Sequence, residues 1–282
     1  MNKTPECDSP ETIGSDIFRG NTYRIVLQYV WETEEMIRYK ACTNPGSRAI
    51  NEDRMNAAAG KDCSCYIVAD GLGGHGNGEI AAQLAVDSVC QFFLENGYTE
   101  DFFEKAFAAA QNAIIKEQER CHAPSKMKTT LVVLIIDGER VQWAHVGDSR
   151  LYAFKRNKVK CRTLDHSVPQ MLVISGEIKE KEIRHHPDRN RLMRVLGIKG
   201  ESSKPEIGPV GKLSSYQAFL LCTDGYWELI DEKTMEQFLK KSSTPEEWLE
   251  KMNEEISSNG KDLEMDNYTA IAVFTDKGRW FW

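Results

Sequence analysis

The chain has 282 residues, 41% of them apolar and 28% charged, with a net charge of −7. That length supplies a sizeable core, in one large domain or two small ones. The acidic balance argues against nucleic acid or an anionic membrane surface as partner, although a locally basic site can still receive a phosphorylated substrate. No apolar run reaches the ~20 residues of a membrane helix, and no apolar leader opens the chain. The eight cysteines are scattered, and Cys63-Ser64-Cys65 has neither the spacing nor the partner pair of a zinc site. They read as thiols in a reducing cytoplasm.

Residues 1–20 are polar, rich in turn formers and aperiodic, and read as a flexible tail ahead of one domain spanning 21–282. Thr22 to Trp31 reads as a strand, and Met36 to Thr43 as a second one ended by Asn44-Pro45-Gly46. Short strands from Arg54 to Ala58 and from Cys63 to Ala69 follow. Apolar residues then recur at helical spacing from Glu79 to Leu94 and from Glu100 to Arg120, so both segments are amphipathic helices that cover a sheet face. Asp137-Gly138 joins strands Thr129 to Asp137 and Arg140 to Val146 as a hairpin. Leu151 to Lys155 continues through Arg156-Asn157 into another strand. Residues 165–195 form a polar, basic, partly helical insert. Ala218 to Thr223 is a continuous apolar strand, helices Glu232 to Lys240 and Pro245 to Ser257 come next, and Thr269 to Thr275 is the last strand. Hairpins dominate and helices come in consecutive pairs, which favours an antiparallel α+β layered fold over a doubly wound sheet.

The stretch Val68-Ala69-Asp70-Gly71-Leu72-Gly73-Gly74-His75-Gly76-Asn77-Gly78-Glu79 places an acid at a strand end beside five glycines. Gly71, Gly73 and Gly76 satisfy the spacing of a dinucleotide fingerprint, but Gln91 and Phe92 stand where its ribose-binding acid belongs. A P-loop Lys-Ser/Thr is also lacking. The same design of an apolar run with an acid at its edge recurs in Asn51-Glu52-Asp53, Gly147-Asp148-Ser149-Arg150 and Asp224-Gly225, with Asp266-Asn267 just before the last strand. A single Asp-Gly is ordinarily a turn. Carboxylates at the ends of neighbouring strands repel unless cations offset them, and an all-oxygen set selects Mg²⁺ or Mn²⁺.

The order Arg48…Asn51-Glu52-Asp53, Val68-Ala69-Asp70-Gly71-Leu72-Gly73-Gly74, Thr129-Thr130, Val146-Gly147-Asp148-Ser149-Arg150, Asp165-His166-Ser167, His186-Pro187-Asp188-Arg189-Asn190, Thr223-Asp224-Gly225 and Asp266-Asn267 resembles the bacterial form of the type 2C metal-dependent protein serine/threonine phosphatases. The resemblance runs from about residue 40 to 275. It implies a four-layer α-β-β-α sandwich of two antiparallel sheets flanked by helix pairs, with metals in a cleft at one end and the 165–195 insert as a flap. It further implies that Asp70 bridges two Mg²⁺ or Mn²⁺ ions, with the Gly71 carbonyl on one of them. Asp224 and Asp266 would hold the second ion, and Asp148 with Asp224 a weaker third. Glu52 and Asp53 would orient metal-bound water, and Arg48 would grip the phosphate.

The expected activity is hydrolysis of phosphoserine and phosphothreonine in proteins, opposing a bacterial-type Ser/Thr kinase as a cytoplasmic monomer. Leu72 occupies the position where animal members carry a proposed general-acid histidine, so the proton donor is open; His75 could serve or could cap the following helix. Lys128 replaces a usual glycine, and Glu228 stands where an acid, commonly Asp, follows Asp224-Gly225. His185 and His186 are expected to shape substrate access rather than bind metal. The rival is a pseudophosphatase that binds phosphoproteins without turnover; loss of Asp70, Asp224 or Asp266 would mark it, and all are present.

Overall fold

The structure, a computed structural model, describes residues 37–60, 62–73, 77–122 and 126–275. The tail at 1–20, the strand from Thr22 to Trp31 and His75 lie outside them. One sheet contains β1 (Ile37–Asn44), β6 (Arg150–Lys155), β7 (Lys158–Arg162), β10 (Ala218–Cys222) and β11 (Tyr268–Thr275), in the order β1-β11-β10-β6-β7. The other runs β2 (Arg54–Ala59), β3 (Cys63–Ala69), β4 (Leu131–Asp137) and β5 (Arg140–Val146), with the two-residue β8 (Glu206–Ile207) and β9 (Gly211–Lys212) both on β5. Every pairing is antiparallel.

Period-two alternation sorts each strand between two interiors. Tyr66, Val68, Val132, Leu134, Leu151, Phe219, Leu221, Ile271 and Val273 meet between the sheets. Cys65, Ile67, Ala69, Leu131 and Val133 face α1 (Gly78–Asn96) and α2 (Phe102–Arg120). On the opposite side Leu220, Cys222, Ala270, Ala272 and Phe274 face α5 (Glu232–Lys240) and α6 (Pro245–Asn259). These strands read as unbroken apolar runs because both faces are covered. Ala81, Ala82 and Ala85, all fully buried, let α1 approach its sheet closely. The four-layer α-β-β-α sandwich stands as expected.

Local chemistry sets the turns. Gly138 follows Asp137 with φ +53°, and Arg156 and Asn157 both adopt positive φ between β6 and β7, the conformation of a two-residue hairpin loop. One boundary that differs from expectation has a chemical cause. Thr129 and Thr130 precede β4 rather than opening it, since their hydroxyls are engaged with the Asp70 loop. The insert carries α3 (Val168–Ser175), capped by Ser167, and a 3₁₀ segment, Glu180–His185. The sequence also gave no sign of α4 (Asp224–Trp227), a single turn too short for periodicity to reveal.

This topology positions the acids. Antiparallel alternation brings the C-terminal ends of β1, β3, β5 and β10 and the N-terminal starts of β2, β6 and β11 to the same end of the sandwich. Asp53, Asp70, Asp148, Asp224 and Asp266 all lie on the connections at that end.

Candidate active site at one end of the sandwich

Asp70 leaves β3 with its backbone clamped by the two threonines. Its N–H donates to Thr130 Oγ1 at 3.0 Å, and its carbonyl accepts from Thr130 N–H at 2.9 Å and from Thr129 Oγ1 at 2.8 Å. Thr130 Oγ1 lies 2.6 Å from Ser149 Oγ, so the Asp70 turn is tied to the loop that bears Asp148. Asp53 is buried and accepts from Thr223 Oγ1 at 2.9 Å, which links the start of β2 to the end of β10 across the two sheets. Asn267 orders the remaining side. Its side-chain oxygen accepts from Glu52 N–H at 2.8 Å, and its amide donates to the Pro45 and Ile50 carbonyls.

The glycines of the turn are required by crowding. A Cβ on Gly71 would stand 2.4 Å from the Gly78 backbone, and one on Gly73 would stand 1.7 Å from Glu52 Oε2. The Glu52 carboxylate therefore occupies the space that Gly73 leaves open.

The electrostatics are those of crowded acids. Burial drives the Asp70 carboxyl well above the usual carboxylate range, and Asp224, Asp53, Asp148 and Asp266 push it further the same way. Burial and then Asp224 act likewise on Asp148, and burial and Asp266 raise Asp224, which shares a side-chain hydrogen bond with Asp70. Asp53 is pushed up to about 7 by burial, against the hydroxyls of Thr269 and Thr223. Glu52 is raised by burial and by Glu79. Glu228, raised to about 7 by burial and Asp224, receives Arg189 Nε at 2.7 Å. The donors are all oxygens, and burial together with neighbouring acids pushes Asp53, Asp70, Asp148 and Asp224 toward their neutral forms. A hard divalent cation relieves both effects, so Mg²⁺ or Mn²⁺ fits this set.

Arg48 is placed differently from a free phosphate clamp. Its guanidinium is exposed and donates to Asp266 Oδ2 at 2.8 Å, while Asp266 Oδ1 accepts from Asn267 N–H at 2.8 Å. An exposed pair of this kind is worth roughly 0–1 kcal/mol, so Arg48 can leave it for an incoming dianion. Leu72 is held by its N–H on the Lys128 carbonyl, so Lys128 acts through its backbone. His185 is exposed, and His186 Nδ1 accepts from Asp188 N–H; neither joins the acids.

Among the described residues, His145, His166 and Glu206 bring possible ligand atoms within 4.8 Å of one another. Their hydrogen bonds oppose a metal there. His166 Nδ1 accepts from Gly147 N–H at 3.1 Å, so the neutral ring carries its proton on Nε2, 3.3 Å from Glu206. His145 Nε2 lies 2.7 Å from the Leu164 carbonyl, and the two rings stack within 7° of parallel, so their in-plane lone pairs do not converge. The stack instead braces Gly147, beside Asp148. Burial, followed by the His145 partner, lowers His166 to about 4 from its ordinary 6.5. Between those values the unfolded chain binds the extra proton, so this contribution is present above pH 6.5 and is lost as pH falls toward 4. Replacing His166 by Asn, whose oxygen can still accept from Gly147, should reduce the loss of unfolding free energy between pH 7.5 and 5 by about 2 kcal/mol. Denaturant melts in EDTA at the two pH values measure this; an identical pH response in both proteins would contradict it.

Other residues hold the site through pairings that the sequence did not reveal. Arg150 and Asp165 form a buried bidentate pair at 2.8 and 2.6 Å. The Trp227 indole N–H donates to the Asp148 carbonyl at 3.0 Å. Such partners are far apart along the chain and meet only through the fold.

Residues 46–259 match the family described as protein phosphatase 2C. The serine/threonine phosphatase stp of Listeria monocytogenes is 32% identical over 240 residues, 81% of this chain and 93% of that protein. The catalytic domain of the serine/threonine protein phosphatase PstP, solved in complex with two manganese ions, superposes with a TM-score of 0.70 at 27% identity, covering 85% of this chain and 98% of that one. The serine/threonine phosphatase Stp1 of Staphylococcus aureus shares the fold with a TM-score of 0.76 at 24% identity, covering 88% and 99%. The chain belongs to the protein phosphatase 2C family.

Proposed function

We propose that this chain hydrolyses phosphoserine and phosphothreonine in proteins, using Mg²⁺ or Mn²⁺ held at the acidic end of the sandwich. The observation that carries the reading is the placement of Asp53, Asp70, Asp148, Asp224 and Asp266 at one end of the sandwich, on connections from both sheets. Asp70, the Gly71 carbonyl, Asp224 and Asp266 would hold the two tightly bound ions. Asp148 and Asp224 would hold a third ion more weakly, since few protein oxygens remain for it. When bound, paired ions activate water and neutralise charge on the phosphoryl oxygens during in-line attack. Glu52 and Asp53 orient the attacking water, and their raised proton affinity suits them to hold its proton.

Arg48 binds the substrate phosphate through its planar fork, exchanging Asp266 for the dianion. Arg48→Ala should raise KM for a phosphopeptide about ten- to a hundredfold, the worth of a charged hydrogen-bond pair, with kcat little changed. A loss confined to kcat would assign Arg48 to the transition state instead.

The physiological substrates are phosphoproteins made by a bacterial-type Ser/Thr kinase, and the enzyme works as a cytoplasmic monomer. All seven described cysteines are unpaired, which agrees with a reducing compartment, and no helix among the described residues is long and apolar enough to cross a membrane. Phosphate release from a phosphothreonine peptide, with Mn²⁺ and with EDTA, tests the reading. Release only with Mn²⁺ is expected, and no release in either condition would overturn it.

A further inference from the structure

We infer that Trp227 is the positioning residue that sets Asp148 against Asp224, and that Arg184 of the 165–195 insert locks Trp227 in place. The inference rests on the reading of those two aspartates as the holders of the weaker third ion. Asp148 stands in the β5–β6 connection and Asp224 opens α4, so the two carboxylates belong to separate turns. Pairing of Arg150 with Cys222 aligns the strands beneath them but leaves the turns themselves unfixed. Trp227, on the same single helical turn as Asp224 and almost fully buried, spans that gap with its indole N–H, 3.0 Å from the Asp148 carbonyl.

The ring has little freedom to move. The Arg150 guanidinium carbon lies 3.4 Å from its centroid, and Arg150 is itself pinned by both oxygens of Asp165. Arg184 completes the lock from the insert. Its Nε donates to the Trp227 carbonyl at 2.8 Å, and one terminal nitrogen donates to the Ile230 carbonyl at 3.2 Å. Both terminal nitrogens reach Glu232, at 3.1 and 2.8 Å. A helix as short as α4 leaves its last carbonyls without partners of its own, and Arg184 supplies one. A displacement of the insert is thereby felt first at Trp227 and next at the Asp148 backbone.

The test compares wild type, Trp227→Phe, Arg184→Lys and Asp148→Ala by calorimetric Mn²⁺ titration, alongside the Mn²⁺ dependence of phosphopeptide turnover. Phe keeps a ring beneath Arg150 and deletes the N–H; Lys keeps the charge near Glu232 and deletes the fork. The expected result is tight Mn²⁺ binding of unchanged stoichiometry in both positioning variants. The weaker event should shift to roughly tenfold higher Mn²⁺ in Trp227→Phe, the usual cost of losing a partner that orients a metal ligand, and in the same direction in Arg184→Lys. KM for the peptide should stay put. A folded Trp227→Phe with a lower Tm and a wild-type weak event, while Asp148→Ala abolishes that event, would overturn the inference and leave the assignment of Asp148 standing. If Asp148→Ala also leaves the weak event intact, the assignment itself fails. Should Trp227→Phe not fold, an unchanged weak event in Arg184→Lys overturns the inference.

Discussion

Asp70→Asn and Asp224→Asn should each lower phosphopeptide turnover at saturating Mn²⁺ by at least about three orders of magnitude while raising the thermal stability of the metal-free protein. The loss follows from the several kcal/mol of charge stabilisation that a catalytic ion provides. The gain follows from the electrostatics of the cleft. Burial and four neighbouring acids drive Asp70 well above its ordinary range, so at neutral pH the metal-free site either carries strained charge or holds extra protons. A carboxyl raised by folding costs stability as pH climbs above its unfolded value. Asn removes that cost and retains the shape. Melts in EDTA at pH 7.5 should therefore place both variants above wild type, and melts in excess Mn²⁺ should reverse the order. A variant with near wild-type kcat would refute the assignment of its residue as a ligand, and a lower Tm in EDTA would refute the repulsion argument.

Arg150→Ala should be the most destabilising exchange among the polar residues around the site, by about 3–5 kcal/mol. Arg150 and Asp165 have side chains 3% and 1% exposed, and removing the guanidinium strands the carboxylate. Arg162, 3.5 Å from Asp165, is only a partial substitute. The ring of Trp227 and the Tyr152 hydroxyl, which accepts from Arg150 at 2.8 Å, lose their partner as well. Denaturant unfolding in EDTA measures the effect independently of metal. A loss below about 1 kcal/mol would mean that the pocket relaxes or admits water around Asp165.

Much of the architecture was legible before any coordinate, for a definable reason. Strands covered on both faces become unbroken apolar runs, as in Ala218–Cys222 and Leu131–Asp137, and paired amphipathic helices announce the outer layers. Both signals are local, so they survive in the sequence. The candidate acids were legible too, because each stands within two residues of a strand end. Where the sequence misled was at Thr129 and Thr130, whose β-branched character suits a strand but whose hydroxyls serve the Asp70 turn. α4 was silent because one turn has no period.

By itself, the sequence determined the layered α+β class, the succession along the chain of the main strands and helices from β1 to β11, and the oxygen-only character of the site, since these depend on residue type and near spacing. The tertiary structure decided which acids act on one another and how strongly. It paired Arg48 with Asp266, stacked His145 on His166, and set Trp227 between Asp148 and Arg184. Those relations join residues tens to hundreds of positions apart, and hydrogen bonding, desolvation and ring stacking depend on distances of a few ångströms that only the closed sandwich defines.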